Sequence, residues 1–240
     1  MSKAISEVYG YILMFSIVVL TVSLVYTQFY PQLTRNQEAT ALKSMENTFS
    51  VLQAAERLVM FNVSPAKAVN IKVENGLLLV NSSFGKISLK VGGNYYNYTC
   101  GAIIYEMARN KLILENGAVI ECSMKECTIL LTPHIYVSSN SSGYITDIFI
   151  SIVNITGLNQ SIKGMKTLCF YQINTEIVSI QNTNLEMQFF DETKDAWLNW
   201  FNFSFKILQR YNNLNVDYTA SKVTIQNVNL TLAHHVIQVV

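Results

Sequence analysis

The stretch that decides the fold opens the chain: MSKAISEVYGYILMFSIVVLTVSLVY, Met1–Tyr26. Seven residues with one lysine and one glutamate precede a run that holds no charged side chain before Arg35. Val8–Thr27 is built almost entirely from Ile, Leu, Val, Met, Phe and Tyr. As a helix at about 1.5 Å per residue, such a run spans roughly 30 Å, the hydrocarbon thickness of a bilayer. Tyr9, Tyr11, Tyr26 and Tyr30 lie toward its two ends, where interfacial aromatics belong. A cleaved secretory signal has a shorter apolar core and a small-residue exit, whereas the exit here reads TQFYPQ. The run is therefore expected to remain as a membrane helix. Lys3 on its short side sets the N-terminus inside, with residues 31–240 outside.

Beyond Pro31, where a kink or a helix restart is expected, the period stays helical. Leu42, Met45, Phe49, Leu52 and Val59 recur at spacings of three and four, while Arg35, Glu38, Lys43, Glu46 and Arg57 lie elsewhere. That stripe is expected to be buried on the sheet that follows. A subunit contact is the other reading of it. After Pro65 the period changes to two. AVNIKV-ENG-LLLVN predicts a hairpin turning at Asn75-Gly76, and KLILENGAVIEC predicts another at Asn116-Gly117. YITDIFISIVNIT and TLCFYQINTEIVSI predict longer strands, and the apolar end HHVIQVV predicts a final paired strand. Residues 193–211 read as a helix capped by Asp191 or Thr193, with Trp197, Trp200, Phe201, Phe205 and Leu208 near one face as a plug for the core. The expected fold class is α+β, mainly β. It comprises a membrane helix over 1–30, an amphipathic helical extension over 31–64 and an antiparallel β-sandwich-like domain over 65–240 with one further helix.

Composition narrows the function classes. Lys and Arg number 17 against 16 Asp and Glu, for a net charge of +1, so no basic footprint for nucleic acid exists. Polarity comes instead from Asn, Ser and Thr. Eight N-x-[ST] sequons occur, at Asn62, Asn81, Asn97, Asn140, Asn154, Asn159, Asn202 and Asn229. Chance placement of this chain's Asn, Ser and Thr predicts about 3.5. The excess fits a glycosylated outer domain, and an Asn-rich genome accounts for it as well.

The cysteines are Cys100, Cys122, Cys127 and Cys169. Cys122 and Cys127 flank a four-residue loop and come within disulfide reach if their strands pair. Cys100 and Cys169 then pair by elimination. A four-thiolate zinc site and free buried thiols are the alternatives, and the count alone leaves three pairings open. Of the histidines, His134 falls in a loop, and His234 and His235 point to opposite faces of one strand. No nucleophile elbow, zincin, Walker A or dinucleotide motif occurs, and no catalytic constellation, cofactor, metal site or small-molecule substrate is expected.

Lys3-Ala4-Ile5-Ser6-Glu7-Val8 ahead of a long apolar helix resembles the class III signal of archaeal type IV pilin-like proteins. In that family a membrane peptidase cuts after a basic residue, which implies cleavage between Lys3 and Ala4. Glu7 then sits near the position where many pilins keep an acid, and in a filament it would pair with the free amine of a neighbouring subunit. A carboxylate there also suits the helix dipole. The order ENGLLLV, AIIYE and LILENGAVIE after an amphipathic helix looks like a β-rich domain of archaeal pilin-like membrane proteins. The resemblance implies a cell-surface subunit of a type IV pilus-like filament, self-associating through its N-terminal helix or joining other pilin-like subunits. The alternative is an uncleaved, non-polymerising single-pass surface protein, either a filament accessory or anchor component or an adhesin.

Overall fold

The computed structural model describes residues 2–124, 126–139, 146–157, 161–212, 215–219 and 222–240. For residues 2–7, 139, 146, 207–212, 215, 216 and 218 only the backbone is described. The fold is α+β and mainly β, with two units, Met1–Ser44 and Met45–Val240.

A single helix, α1, runs over Ser2–Met60. It continues through Pro31, so the helix does not restart there. Proline removes one backbone donor, and the hydroxyls near it turn inward to the ladder: Thr27 donates to the Ser23 carbonyl and Thr34 to the Tyr30 carbonyl. From Met45 onward the stripe is buried, with Phe49, Leu52 and Val59 fully enclosed. Gln53 pins these last turns to the sheet by donating to the Gly117 and Thr132 carbonyls.

The β-domain is a ten-stranded mixed sheet. Its strands are β1 Ala66–Val91, β2 Asn94–Met107, β3 Asn110–Glu115, β4 Ala118–Cys122, β5 Cys127–Leu131, β6 Ile135–Ser139, β7 Thr146–Gly157, β8 Ser161–Phe189, β9 Asn215–Tyr218 and β10 Lys222–Val239. The order across the sheet is β5-β4-β3-β2-β1-β8-β10-β7-β6, with β9 on β10. β7 and β10 run parallel, Val228 opposite Thr146 and Val239 opposite Gly157, so the expected all-antiparallel arrangement does not hold. β8 is met twice by β1. Ala66–Val73 faces Tyr171–Gly164, and Ile87–Val91 faces Phe189–Leu185. A strand that returns to the same partner must bend, and β1 bends between Asn81 and Gly85, where its register with β2 also shifts.

The two Asn-Gly pairs behave differently. Asn116 and Gly117 both take positive φ, 49° and 73°, and close a two-residue hairpin between β3 and β4. At Asn75-Gly76 only the glycine does, with φ 85°, so no primed turn forms and β1 continues. Gly76 is required there because a Cβ would run into the Glu106 carbonyl of β2. The hairpin expected at this site is thus replaced by a continuous strand.

The sheet is covered on both faces. On one side Ala102, Ile104, Ile113 and Ile120 pack with α2, Lys194–Asn212, whose Trp197, Phe201 and Phe205 are buried at successive turns. Phe189 stacks on Trp197 at 5.4 Å. On the other side lie the last turns of α1. Strands buried on both faces lose their alternation, which is why Leu112–Leu114 and Ala118–Ile120 are continuous apolar runs. β7 also crosses close over β2. A Cβ at Gly101 would clash with the Ile155 carbonyl, and the Gly101 amide donates to Asn154 Oδ1 at 3.1 Å.

Candidate functional site

The membrane-facing feature comes first. Every residue from Val8 to Leu33 is exposed, and the apolar ones point to all sides of α1. A helix that is apolar all round belongs in a core or a bilayer. This one reaches a mean hydropathy of 2.3 and buries none of that window. It is long and apolar enough to span a membrane, which is consistent with single-pass anchoring. Lys3, Ala4 and Glu7 lie in the helical backbone, and their side chains lie outside the described residues.

Cys122 and Cys127 form a disulfide. β4 and β5 pair them opposite one another, and that register brings them together. Cys100 and Cys169 do not pair; both are free thiols. Cys100 on β2 lies opposite Gly85, and Cys169 on β8 opposite Ala68, at opposite ends of the long β1, so elimination fails on geometry. The disulfide sits at one end of an open cleft of about 890 Å³, where Lys111 bridges Glu106 at 3.2 Å and Glu192 at 3.3 Å.

The most unusual chemistry lies where α2 begins. Thr193 is buried, and its Oγ1 lies 2.7 Å from Glu115 Oε2 and 2.6 Å from Asp191 Oδ1. Asp191 Oδ1 also accepts the Thr193 amide at 3.1 Å, and the Trp197 indole donates to Glu115 Oε2 at 3.4 Å. Glu115 is fully buried. Burial, then the adjacent Asp191 carboxylate, holds its carboxyl well above the usual range. Glu115 Oε1 and Asp191 Oδ2 converge on Gly85, where a Cβ would collide with both. Each is buried without a hydrogen-bond partner among the described residues. Cys100 is close by, and burial, followed by Glu115 and Asp191, pushes its thiol up. Asp191 and Thr193 were expected only as helix caps. Glu115 lies 78 positions from Thr193 and gives no local signal.

Three further buried titratable groups, Glu56, His134 and His235, occupy the α1 side. Glu56 points into the core with neither oxygen partnered among the described residues, and burial lifts its carboxyl to about 8. It lies one turn beyond Leu52 on the buried stripe, the periodic signal that identifies it. His134 and His235 flank Phe61, with ring centroids at 5.9 and 6.2 Å. Burial is the first cause that lowers both to about 4. Arg57 and then His235 add to it at His134, and His234 adds to it at His235. His234 faces the other way, against Tyr98 at 4.7 Å.

The sequons differ in access. Asn62, Asn97 and Asn202 are exposed. Asn154 is tied to the Gly101 amide, Asn81 accepts from the Ser83 amide, and Asn229 donates its Nδ2 to Asp147 at 2.8 Å. Asn140 and Asn159 lie outside the described residues.

Fold and helix together define a class: a β-rich domain carried on one apolar N-terminal helix. The chain belongs to a family of unknown function (DUF7289), whose model matches residues 3–230. It is similar to an uncharacterised protein of the archaeon Archaeoglobus fulgidus, 28% identical over 144 residues. That match takes in 60% of this chain and 43% of the relative, so less than half of the relative's length is matched. No solved structure matches.

Proposed function

We propose that this protein is a pilin-like subunit of a cell-surface filament, anchored by α1 with residues 31–240 outside the membrane. The observation that carries the reading is the exposed, all-round apolar surface of Val8–Leu33 on the same continuous helix whose last turns are built into the β-domain. A subunit of this form delivers an apolar rod either to lipid or to the rods of other copies. Burying that surface against other copies would hold a polymer together at about 25 cal/mol per Å². The Cys122–Cys127 disulfide favours an oxidising compartment outside the cytoplasm, and the exposed Asn62, Asn97 and Asn202 suit glycosylation there. An archaeal relative fits the source that the N-terminal motif implies.

Glu7 is the assembly residue in this reading. Glu7→Gln should abolish filaments seen by electron microscopy of shed surface material while leaving the β-domain folded. Unchanged filaments in that variant would remove the role given to Glu7. The second reading, a fixed anchor for an accessory component or adhesin, shares the fold and predicts the same membrane fraction with no filament in either chain.

A further inference from the structure

We infer that Asn62 carries an N-linked glycan whose first sugars lie along a strip of three aromatic rings; this rests on the outer location proposed for residues 31–240. The rings are those of Phe61, of Phe149 on β7 and of Tyr136 on β6. Phe61 and Phe149 have centroids 6.4 Å apart and planes inclined by 37°. Phe149 and Tyr136 follow at 6.1 Å and 39°. The strip is open at both ends, with Phe61 38% exposed and Tyr136 52%. Single exposed apolar side chains are ordinary, but three rings in one row mark a surface that a ligand covers.

The border of the strip says what kind of ligand. Tyr136 lies opposite Phe149, and two residues along the same strands Ser138 lies opposite Asp147. Residues two apart on a strand share a face, so Ser138 and Asp147 flank the rings. Asn229, opposite Asp147 on β10, donates its Nδ2 to the Asp147 carboxylate. An apolar strip edged by hydroxyl, carboxylate and amide groups suits a pyranose. The C–H face of the sugar packs on the negative faces of the rings, and its hydroxyls find donors and acceptors along the edge. The step from ring to ring is close to the length of one sugar unit.

The end of the strip says where that sugar is tethered. Phe61 is followed directly by the sequon Asn62-Val63-Ser64. The chain turns there as α1 ends: the Val63 and Ser64 amides both donate to the Leu58 carbonyl, and Asn62 takes a φ of 56°. This left-handed cap fixes Asn62 beside the ring that starts the strip. Asn62 is exposed, whereas the side chains of Asn81, Asn154 and Asn229 are used in hydrogen bonds of the fold. Attachment is a glycosyl transfer from a lipid-phosphate-linked glycan, made by a separate transferase. The bond from the anomeric carbon to the phosphate oxygen breaks, the bond from that carbon to Asn62 Nδ2 forms, and the proton released by Nδ2 leaves with the phosphate. Nothing is oxidised or reduced.

The test uses the full chain, taken from its native membrane fraction into detergent. Tryptic peptides Leu58–Lys67, Val91–Arg109 and Asp195–Lys206 contain Asn62, Asn97 and Asn202. Leu58–Lys67 should be heavier than its bare mass by a whole number of sugar residues. If it is bare while either other peptide carries sugar, the inference is overturned and the outer location stands. If all three are bare, the inference is overturned and the outer location loses support with it. Thermal melts of Asn62→Asp, Tyr136→Ala and the double variant from the same source then read the seat of the sugar. Aspartate tolerates the left-handed cap and removes the nitrogen that is glycosylated. Asn62→Asp should lower Tm by about 2–4 °C more in the wild-type background than in Tyr136→Ala, where the end ring is gone. Equal losses in the two backgrounds would put the sugar off the rings and overturn the seat.

Discussion

Replacing Glu56 with methionine should make this protein more stable, by an amount that depends on pH. The carboxyl is fully buried and has no hydrogen-bond partner among the described residues, and burial raises it from 4.5 to about 8. Below pH 4.5 the group is neutral in both states and contributes no pH dependence. Between 4.5 and 8 the unfolded chain releases a proton that the folded chain retains, so stability falls as pH rises. Each pH unit in that window costs about 1.4 kcal/mol, which amounts to roughly 3 kcal/mol at pH 7 and about 5 kcal/mol above pH 8. Methionine fills a similar volume without a charge, so Glu56→Met removes this loss. For a chain of this size about 3 kcal/mol corresponds to a rise in Tm of roughly 6–12 °C. Thermal melts of the detergent-solubilised full chain and the variant, taken from pH 4.5 to 8.5, give the difference directly. Its growth with pH is the signature. A difference that stays flat across the range, or a variant less stable than the wild type at pH 7, would refute the account of Glu56.

Other outcomes follow from the same packing. His134 and His235 take up protons in the unfolded chain near 6.5 and in the fold only near 4. Stability should therefore drop as pH falls through that window, by about 1.4 kcal/mol per pH unit for each histidine. His134→Gln and His235→Gln should each remove their share of that slope in the same melts; an unchanged slope counts against burial as its cause. Gly101→Ala places a methyl group against the Ile155 carbonyl and should cost about 3 kcal/mol or more, because backbone must move. Gly93→Ala, with open space around it, should cost much less despite its φ of 95°, and equal losses at the two sites would contradict the close crossing of β7 over β2.

What the sequence disclosed was local. The charge-free run up to Arg35, the stripe through Phe49 and Leu52, and the aromatic face of α2 are periodic signals, and each element stands where its period put it. Asn116-Gly117 was readable for the same reason, since its turn depends on two adjacent residues. Asn75-Gly76 carries the same letters but lies inside a strand held by β2 on one edge and β8 on the other. The partners that straighten it come from about 30 and 90 positions away, which no local window contains. The same limit hid the contact of Glu115 with Asp191 and Thr193, and it misdirected the pairing of Cys100 with Cys169. Glu56 is different. It sits on the buried stripe in plain view, and the expectation that a glutamate faces water concealed it.

The central claim is that α1 is a pilin-type helix, and the mass of the N-terminal peptide tests it most directly. The protein should be taken from its native membrane or surface fraction. A peptide beginning at Ala4 is the predicted result, since it shows cleavage after Lys3 and frees the amine that Glu7 is to meet in a neighbouring subunit. A peptide beginning at Met1 or Ser2 would contradict the filament reading and leave α1 as a fixed anchor for whatever the β-domain binds outside the cell.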